Sequence, residues 1–166
     1  YLRAADNWWP AKKKDFNWTG PTGPCTEMFY DDVEIWNDVF MEYQAENGKI
    51  VGKLMQKNVD TGAGLERLAM ILQGKDNIFD TDLFTPLTLP LQPIMGMRSA
   101  RIVTDHIRTS VFMIADGVTP SNTDRGYVLR RLLRRAYVHA RKLEVETEVL
   151  NSIANLVVGH RSYKGL

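Results

Sequence analysis

The sequence predicts an α+β protein, with an antiparallel sheet followed by a helix in its first part and an all-helical second part. Aromatic and β-branched residues typical of strands are concentrated before residue 60. Apolar residues recur at helical spacing after residue 98. Between these patterns, LTLPLQPIMGM at 87–97 has two prolines and a glycine and predicts a linker or a covered crossing rather than a continued helix. We therefore predict two domains, 1–97 and 98–166.

Three strands are predicted in the first domain. TEMFYDD and EIWNDVFMEYQ have strand composition, and Asn47-Gly48 is a strong tight-turn signal that predicts a return strand from about Lys49 to Val59. TGPTGPCTE at 19–27 reads as a turn or a rigid loop leading into the first strand. After Val59, apolar residues at helical spacing predict a strand-to-helix junction within VDTGAGLERL.

Three helices are predicted in the second domain. The first lies within TDHIRTSVFMIADG, with Gly117 as its C-terminal cap. The second lies within PSNTDRGYVLRRLLRRAYVHARKL, with its N-cap among residues 122–124. The third runs from about Glu146 to Val158. The apolar stripe of the second helix is predicted to comprise Leu129, Leu132, Leu133, Ala136, Ala140 and Leu143.

Composition limits the classes of protein. The chain has 166 residues, 44% of them hydrophobic, and no apolar run near the roughly 18 residues of a membrane helix. Residues 1–9 do not resemble a signal peptide. Cys25 is the one cysteine, which excludes an intramolecular disulfide and a cysteine-built zinc site within this chain. We expect an intracellular protein without membrane contact, and the first residue, Tyr1, suggests a piece of something longer.

Charge is unevenly distributed along the chain. Residues 1–100 hold 10 Lys and Arg against 14 Asp and Glu, whereas residues 101–142 hold 9 against 3. A basic surface facing a polyanion is one interpretation of the second part, and a well-solvated helix face is the other.

Several polar residues of the first domain suit a ligand site, and each has a plainer structural alternative. Asp60, beside a glycine-bearing turn, could bind an ammonium group or could cap the helix. Arg67 could hold a phosphate or form a salt bridge. Asn37 sits among apolar neighbours on its strand, so its amide needs a ligand or a backbone partner. Trp8, Trp9 and Trp18 could line a pocket or pack in the core.

Common catalytic motifs are missing. His106, His139 and His160 all lie in the helical part, so no Ser-His-Asp triad can be argued, and no His-x-x-x-His pair is present. No phosphate-binding Gly-x-x-x-x-Gly-Lys loop and no dinucleotide-binding Gly-x-Gly-x-x-Gly occurs, which argues against the common parallel-sheet nucleotide folds.

Seven stretches together resemble one family, the alanyl-tRNA synthetases. They occur in the family's order and cover most of residues 6–143, whereas residues 144–166 carry no signature. The stretches are DNWW, TGPTGPCTE, EIWNDVF, NVDTGAGLERLAMILQGKDN, DTDLFTPL, DHIRTSVFMIADG and PSNTDRGYVLRRLLRRA.

The resemblance implies a cytoplasmic class II alanine–tRNA ligase that uses ATP and Mg²⁺. The chain would hold the later part of its aminoacylation domain, an antiparallel sheet with flanking helices in which VDTGAGLER is the third class II motif. An all-α helical domain that binds the tRNA(Ala) acceptor stem would follow. Alanine would be bound by Asp60, Asn37, Gly62 and Trp9, and ATP by Arg67 and Glu27. No metal ligand and no catalytic side chain is implied. For tRNA, whose main identity element in the family is a G·U pair, the implied residues are Asn122, Arg125, Arg130, Arg131, Arg134 and Arg135.

The sequence departs from the family pattern at several places. Thr22 stands at the first cysteine of the usual GPCGPC, a change that we expect to have little effect. AKKKDFNW looks inserted, which makes Trp18 a rival to Trp9, and the connection between FYDD and VEIWN is short. The first two class II motifs and the editing domain are not represented, so we expect no alanine activation by this chain alone. A non-catalytic acceptor-stem RNA-binding module is the alternative function, and a truncated chain without a function of its own is a third.

Overall fold

A computed structural model describes residues 7–10, 17–160 and 163 of the chain. The chain separates into two compact units, Tyr1–Gly74 and Lys75–Leu166. In the described residues the first unit is an antiparallel sheet followed by a helix, and the second is helical. The predicted α+β class is confirmed. Residues 75–97 pack with the helical unit, and a division of function at residues 97 and 98 stays a prediction.

The sheet of the first unit has four strands in the order β1-β2-β3-β4, and each pairs antiparallel with its neighbour. A two-turn α-helix follows the last strand, and Leu65, Leu68 and Leu72 recur in it at helical spacing. The elements are β1 (Trp8–Trp9), β2 (Gly20–Tyr30), β3 (Val33–Glu46), β4 (Lys49–Ala63) and α1 (Leu65–Leu72).

The β3–β4 hairpin forms as predicted. Asn47 and Gly48 both have positive φ, 48° and 76°, as a tight two-residue turn requires. β4 continues to Ala63, beyond the predicted end at Val59, because its pairing with β3 persists as far as Trp36 opposite Ala63. The strand-to-helix junction is therefore compressed into Gly64 alone.

β2 begins earlier than predicted. The segment 20–27 is strand and not the expected turn or loop. Its pairing with β3 shifts register between Thr22 and Cys25. At Gly23, within this bulge, the carbonyl oxygen of Phe40 occupies the space that a β-carbon would need. The glycine permits the close approach of the two backbones that makes the bulge possible.

Within the part of the helical unit that the structure describes, a short 3₁₀ turn at Ile78–Asp80 comes first and four α-helices follow. The first of the three helices predicted for this part ends at Ala115, and Gly117 follows with φ of 80°, the left-handed conformation expected after a helix. The last helix lies where it is predicted. The helices are α2 (Thr85–Thr88), α3 (Gln92–Ala115), α4 (Asp124–Lys142) and α5 (Thr147–Gly159).

The proline-rich segment 87–97 is largely helical and buries one face, so it is not a linker. Leu87, Leu91 and Met95 are spaced four residues apart and are 6% exposed or less. Pro93 lies in the first turn of α3, where a helix tolerates proline because the missing N–H has no intrahelical partner. Gly96, at φ of 72°, interrupts the helix within α3.

The core of the helical unit is built from α3, α4 and α5. On α4, Leu129, Ala136 and Ala140 are buried as the apolar stripe predicts, and Leu133 packs against the core while partly exposed. Leu143 is 45% exposed because α4 ends at Lys142, one residue before it. The burial of one α4 face leaves the arginines of this helix on the other.

Candidate functional site

Three predicted site residues of the first unit form one cross-strand row. Glu27 of β2 lies opposite Asn37 of β3, and Asn37 lies opposite Gly62 of β4. Asp60 is two residues before Gly62 and is therefore on the same face of the sheet. The register brings residues of three strands together on one face, as a shared site requires.

Asp60 is an exposed residue inside β4, opposite Val39. It does not cap α1, because the N-cap of that helix is Gly64, which has no side chain to accept a hydrogen bond. The capping alternative is thereby excluded. Val39 is buried, whereas Asp60 itself is exposed and its carboxylate is accessible to a ligand.

Asn37 has the backbone partner that its partly buried position requires. Its Nδ2 donates to the carbonyl oxygen of Thr26 at 3.2 Å, which fixes the amide with respect to β2. This bond uses one of the four hydrogen-bonding positions of the amide. Opposite it, a β-carbon added to Gly62 would meet no described atom within 4 Å. The sheet face next to the fixed Asn37 amide is therefore unoccupied at Gly62.

Arg67 is held against the end of the sheet. Its Nη1 donates to the carbonyl oxygen of Glu34 at 2.8 Å and lies 3.5 Å from the Glu34 carboxylate. The side chain crosses Gly64, where its Cδ is 3.2 Å from the position of a β-carbon. The salt-bridge alternative is thus realised, but both contacts use Nη1, the Arg67 side chain is 51% exposed, and its guanidinium has further N–H donors.

The two rival tryptophans are in contact with each other. The rings of Trp9 and Trp18 pack edge to face with centroids 5.3 Å apart. Both therefore belong to one aromatic cluster beside β2.

Thr22 organises this cluster, a role that its position in the sequence does not reveal. The residue is 2% exposed. Its hydroxyl accepts a hydrogen bond from Trp8 Nε1 at 2.7 Å and donates one to the carbonyl oxygen of Trp9 at 2.6 Å. A thiol at this position would make weaker hydrogen bonds, so the hydroxyl has a larger structural effect than we expect from the sequence.

In the helical unit, all five predicted RNA-contact arginines are exposed. These arginines all lie on α4. The guanidinium of Arg131 stacks over the ring of Tyr127, with Cζ 5.7 Å from the ring centroid. Arg131 and Arg135 also line a cavity of about 240 Å³ together with His106. The exposed residues are Arg125, Arg130, Arg131, Arg134 and Arg135.

Asn122 lies in the loop before α4 and is bonded to that helix. Arg130 Nη1 donates to Asn122 Oδ1. Within the loop, Ser121 Oγ donates to the carbonyl oxygen of Thr123 at 2.8 Å. Two of the predicted tRNA-contact residues, Asn122 and Arg130, are therefore in direct contact.

His139 lies on α4 near the cationic residues. Burial lowers the pKa of its imidazole, and the nearby charges of Arg135, Lys142, His106 and Arg98 lower that pKa further. Nδ1 is 3.3 Å from Ser99 Oγ on α3. A histidine in this setting keeps its neutral form to a lower pH than a free one.

Arg108 shows that not every arginine of this unit is available to a ligand. Its Nε donates to the hydroxyl of Tyr163 at 2.7 Å, and its guanidinium stacks over the rings of Phe84 and Phe112. The sequence does not distinguish it from the α4 arginines, because its aromatic partners come from distant positions.

The described residues contain no group of three or more His, Cys, Asp or Glu side chains that could hold a metal ion. None of the described helices is long and apolar enough to span a membrane.

Comparison with known proteins decides the family. The family model of class II tRNA synthetases of the alanine type matches residues 2–163. The chain belongs to the class II alanyl-tRNA synthetase family. Its similarity extends to alanine–tRNA ligases of Treponema pallidum, at 41% identity, Magnetococcus marinus, at 42%, and Acidithiobacillus ferridurans, at 43%.

These matches cover 96%, 92% and 86% of this chain but only 30%, 20% and 19% of the relatives. The chain thus spans less than a third of the length of the curated relatives that it matches. The Treponema alignment extends over 188 positions, more than the 166 residues here, so that relative has additional residues within the matched region.

Proposed function

We propose that this chain is part of an alanine–tRNA ligase, in which its first unit binds alanine and ATP and its second unit binds the acceptor stem of tRNA(Ala). The observation that carries the proposal is the cross-strand row of Glu27, Asn37 and Gly62, with Asp60 on the same face. The names of the relatives support the same activity.

Alanine has three groups to be recognised, and the sheet offers a counterpart to each. The Asp60 carboxylate binds the ammonium group by charge and hydrogen bonding. The open space at Gly62 accepts the methyl group, and the fixed amide of Asn37 contacts the bound amino acid. Trp9, in its cluster with Trp18, lies beside the carboxylate. These side chains position the alanine carboxylate for attack on the α-phosphate of ATP. The attack forms alanyl-adenylate and releases pyrophosphate, and none of these side chains transfers a proton.

The remaining predicted ligand-binding residues of the first unit, Arg67 and Glu27, suit ATP. Arg67 has unused N–H donors in a planar fork that matches a phosphate. Glu27 is an exposed carboxylate that can accept hydrogen bonds from the nucleotide. Mg²⁺ typically keeps several waters and binds through substrate phosphates and one or two carboxylates. When bound, Mg²⁺ neutralises phosphate charge.

The α4 surface is proposed to bind RNA. Its exposed arginines would hold phosphates, which gives affinity without sequence preference, whereas Asn122 would read the edge of a base at the G·U pair. The terminal ribose hydroxyl of the tRNA then accepts the alanyl group in the complete enzyme.

By itself, the 166-residue chain is proposed not to activate alanine, because it has no counterpart of the first two class II motifs. A non-catalytic acceptor-stem binding module remains the second candidate, which the basic, exposed α4 face favours. The two candidates differ in one respect. Only the ligase uses the cross-strand row.

The deciding experiment measures alanine-dependent exchange of pyrophosphate into ATP. It is performed with the complete protein, as wild type and as Asp60→Asn, and with the 166-residue chain. We expect exchange by the complete protein, its loss in the variant by at least about a hundredfold, and none by the chain alone. Unchanged exchange in Asp60→Asn would contradict the alanine site, and a complete protein that binds acceptor-stem RNA without any exchange would establish the binding module.

A further inference from the structure

The loop that contains Asn122 is fixed to the first turns of α4. Gly126, in the first turn, is buried, and an added β-carbon would collide with Ser121 Oγ and with the carbonyl oxygen of Thr119. The loop therefore lies on the helix backbone at a distance that only glycine permits. Ser121 also bonds to Thr123, which closes the turn before the helix.

Arg130 completes this arrangement from the next turn of α4. Its guanidinium donates to the Asn122 side chain, although both residues are exposed. A guanidinium has donors only, whereas an amide presents an oxygen acceptor on one side and an NH₂ donor on the other. The contact therefore fixes which way the amide faces, with its oxygen toward Arg130 and its NH₂ turned away.

We infer that Arg130 is a positioning residue for base recognition, which makes Asn122 a hydrogen-bond donor toward RNA. This inference rests on the proposed function, in which Asn122 reads a base edge. The group that Asn122 recognises is then an acceptor, a base carbonyl oxygen or ring nitrogen. Without Arg130 the amide can rotate and present either end, and its discrimination between acceptor and donor edges is lost.

This role differs from that of the other α4 arginines in a measurable way. An arginine that only holds a phosphate contributes equally to every RNA sequence, and its removal lowers the salt dependence of binding. An arginine that orients Asn122 contributes to the preference between base pairs. Arg131 is the matched control, because it is an exposed arginine on the same helix that stacks over Tyr127 instead.

The test measures the dissociation constants of the 166-residue chain for two acceptor-stem hairpins, one with G·U and one with G·C, at two salt concentrations. The variants are Asn122→Ala, Arg130→Met, their double variant, Arg130→Lys and Arg131→Met. Thermal melts verify that each variant is folded. Methionine keeps an aliphatic side chain but donates no hydrogen bond, whereas lysine keeps the charge and a donor.

We expect the wild type to prefer G·U by about tenfold, the scale of one mismatched base pair, and Asn122→Ala and Arg130→Met each to abolish the preference. The double variant should lose no further preference, and Arg130→Lys should restore part of it. Arg131→Met should weaken both hairpins equally. If Arg130→Met keeps the preference while weakening both hairpins, Arg130 is a phosphate contact and the inference is wrong. If Asn122→Ala keeps the preference, the proposed base reading fails, and the inference with it.

Discussion

Asn37 of β3 lies directly opposite Gly62 of β4, and its amide is fixed by a 3.2 Å hydrogen bond to the carbonyl oxygen of Thr26 on β2. A polar group of defined orientation is thus placed beside a position that has no side chain. The arrangement suits a small ligand that needs both a hydrogen-bonding partner and room for one methyl group. It also makes Gly62 a position where folding and ligand binding can be tested separately.

Gly62→Ala should stabilise the fold and impair the site. A β-carbon at Gly62 meets no described atom within 4 Å, and alanine in a strand is more favourable than glycine by about 0.5–1 kcal/mol. In the complete protein the added methyl should raise the KM for alanine by about ten- to a hundredfold. Urea denaturation measures the first effect and pyrophosphate exchange the second.

Gly52→Ala is the control for that prediction. Gly52 is also in β4 and also faces open space. It should give the same gain in stability and leave the KM for alanine unchanged. An equal rise in KM for both variants would show that β4 responds to any added side chain, and would contradict a methyl-sized space at Gly62.

Thr22→Val should destabilise the first unit by about 1–3 kcal/mol. The substitution preserves shape but leaves the Trp8 indole N–H and the Trp9 carbonyl without their buried partner. Thr22→Ser retains the hydroxyl and should cost less. Urea denaturation followed by tryptophan fluorescence measures both. Equal losses in the two variants would mean that the methyl group of Thr22, and not its hydroxyl, stabilises the cluster.

Arg67→Ala should affect nucleotide binding far more than stability. Its ion pair with Glu34 is well exposed, and pairs of this kind contribute about 1 kcal/mol or less. The loss of the phosphate contact should raise the KM for ATP in the complete protein by about tenfold or more. Glu34→Gln removes the ion pair and keeps the arginine, so its KM for ATP should stay close to that of the wild type. A rise as large as that of Arg67→Ala would show that the pair itself is required.

His139 should make stability depend on pH below neutrality. Because its pKa in the folded state is lower than the ordinary value of about 6.5, the folded state prefers the neutral imidazole. Its contribution to stability is complete above pH 6.5 and is lost as the pH falls through the lowered pKa. His139→Gln should flatten the stability profile in that interval. A profile identical to that of the wild type would contradict the prediction.

The same imidazole should report RNA binding. Arg135, Lys142 and Arg98 help to lower its pKa, and phosphates bound near them would neutralise part of that charge. The pKa of His139, followed by NMR of its ring protons, should therefore rise when an acceptor-stem hairpin is added. If Arg135 carries most of the electrostatic coupling between bound phosphate and His139, the hairpin should leave the His139 pKa of Arg135→Ala unchanged.

Local patterns in the sequence predict most of the fold. The Asn47-Gly48 turn, the helix end at Gly117 and the last helix all follow from residue types that allow few conformations. The structures of segments 20–27 and 87–97 are harder to predict from sequence, because proline and glycine occur not only in turns but also at bulges and in the first turns of helices. Their strand and helix structures depend on the backbone of Phe40 and on burial in the helical core, which are contacts with distant residues.

In the candidate site too, local sequence identifies some residues, whereas contacts between distant residues appear only in the structure. Asp60, Asn37 and Gly62 can be named from the sequence and the family resemblance, and the register then shows that they share one face. The contacts of Thr22 with Trp8 and Trp9, and of Arg130 with Asn122, join residues 8 or more positions apart through side-chain atoms. No periodicity signals such contacts, so the supporting roles of Thr22 and Arg130 emerge only from the structure.

Gly126 has a consequence for protein engineering. Since the loop 119–123 packs against Gly126, which has no side chain, and Arg130 bonds to Asn122, the loop is tied to residues 124–130 of α4. Moving Asn122 alone onto another helical scaffold would transfer the amide without its support. The portable unit is the continuous segment 119–130, and a library that varies base preference should hold Gly126 constant while it changes positions 122 and 130 together.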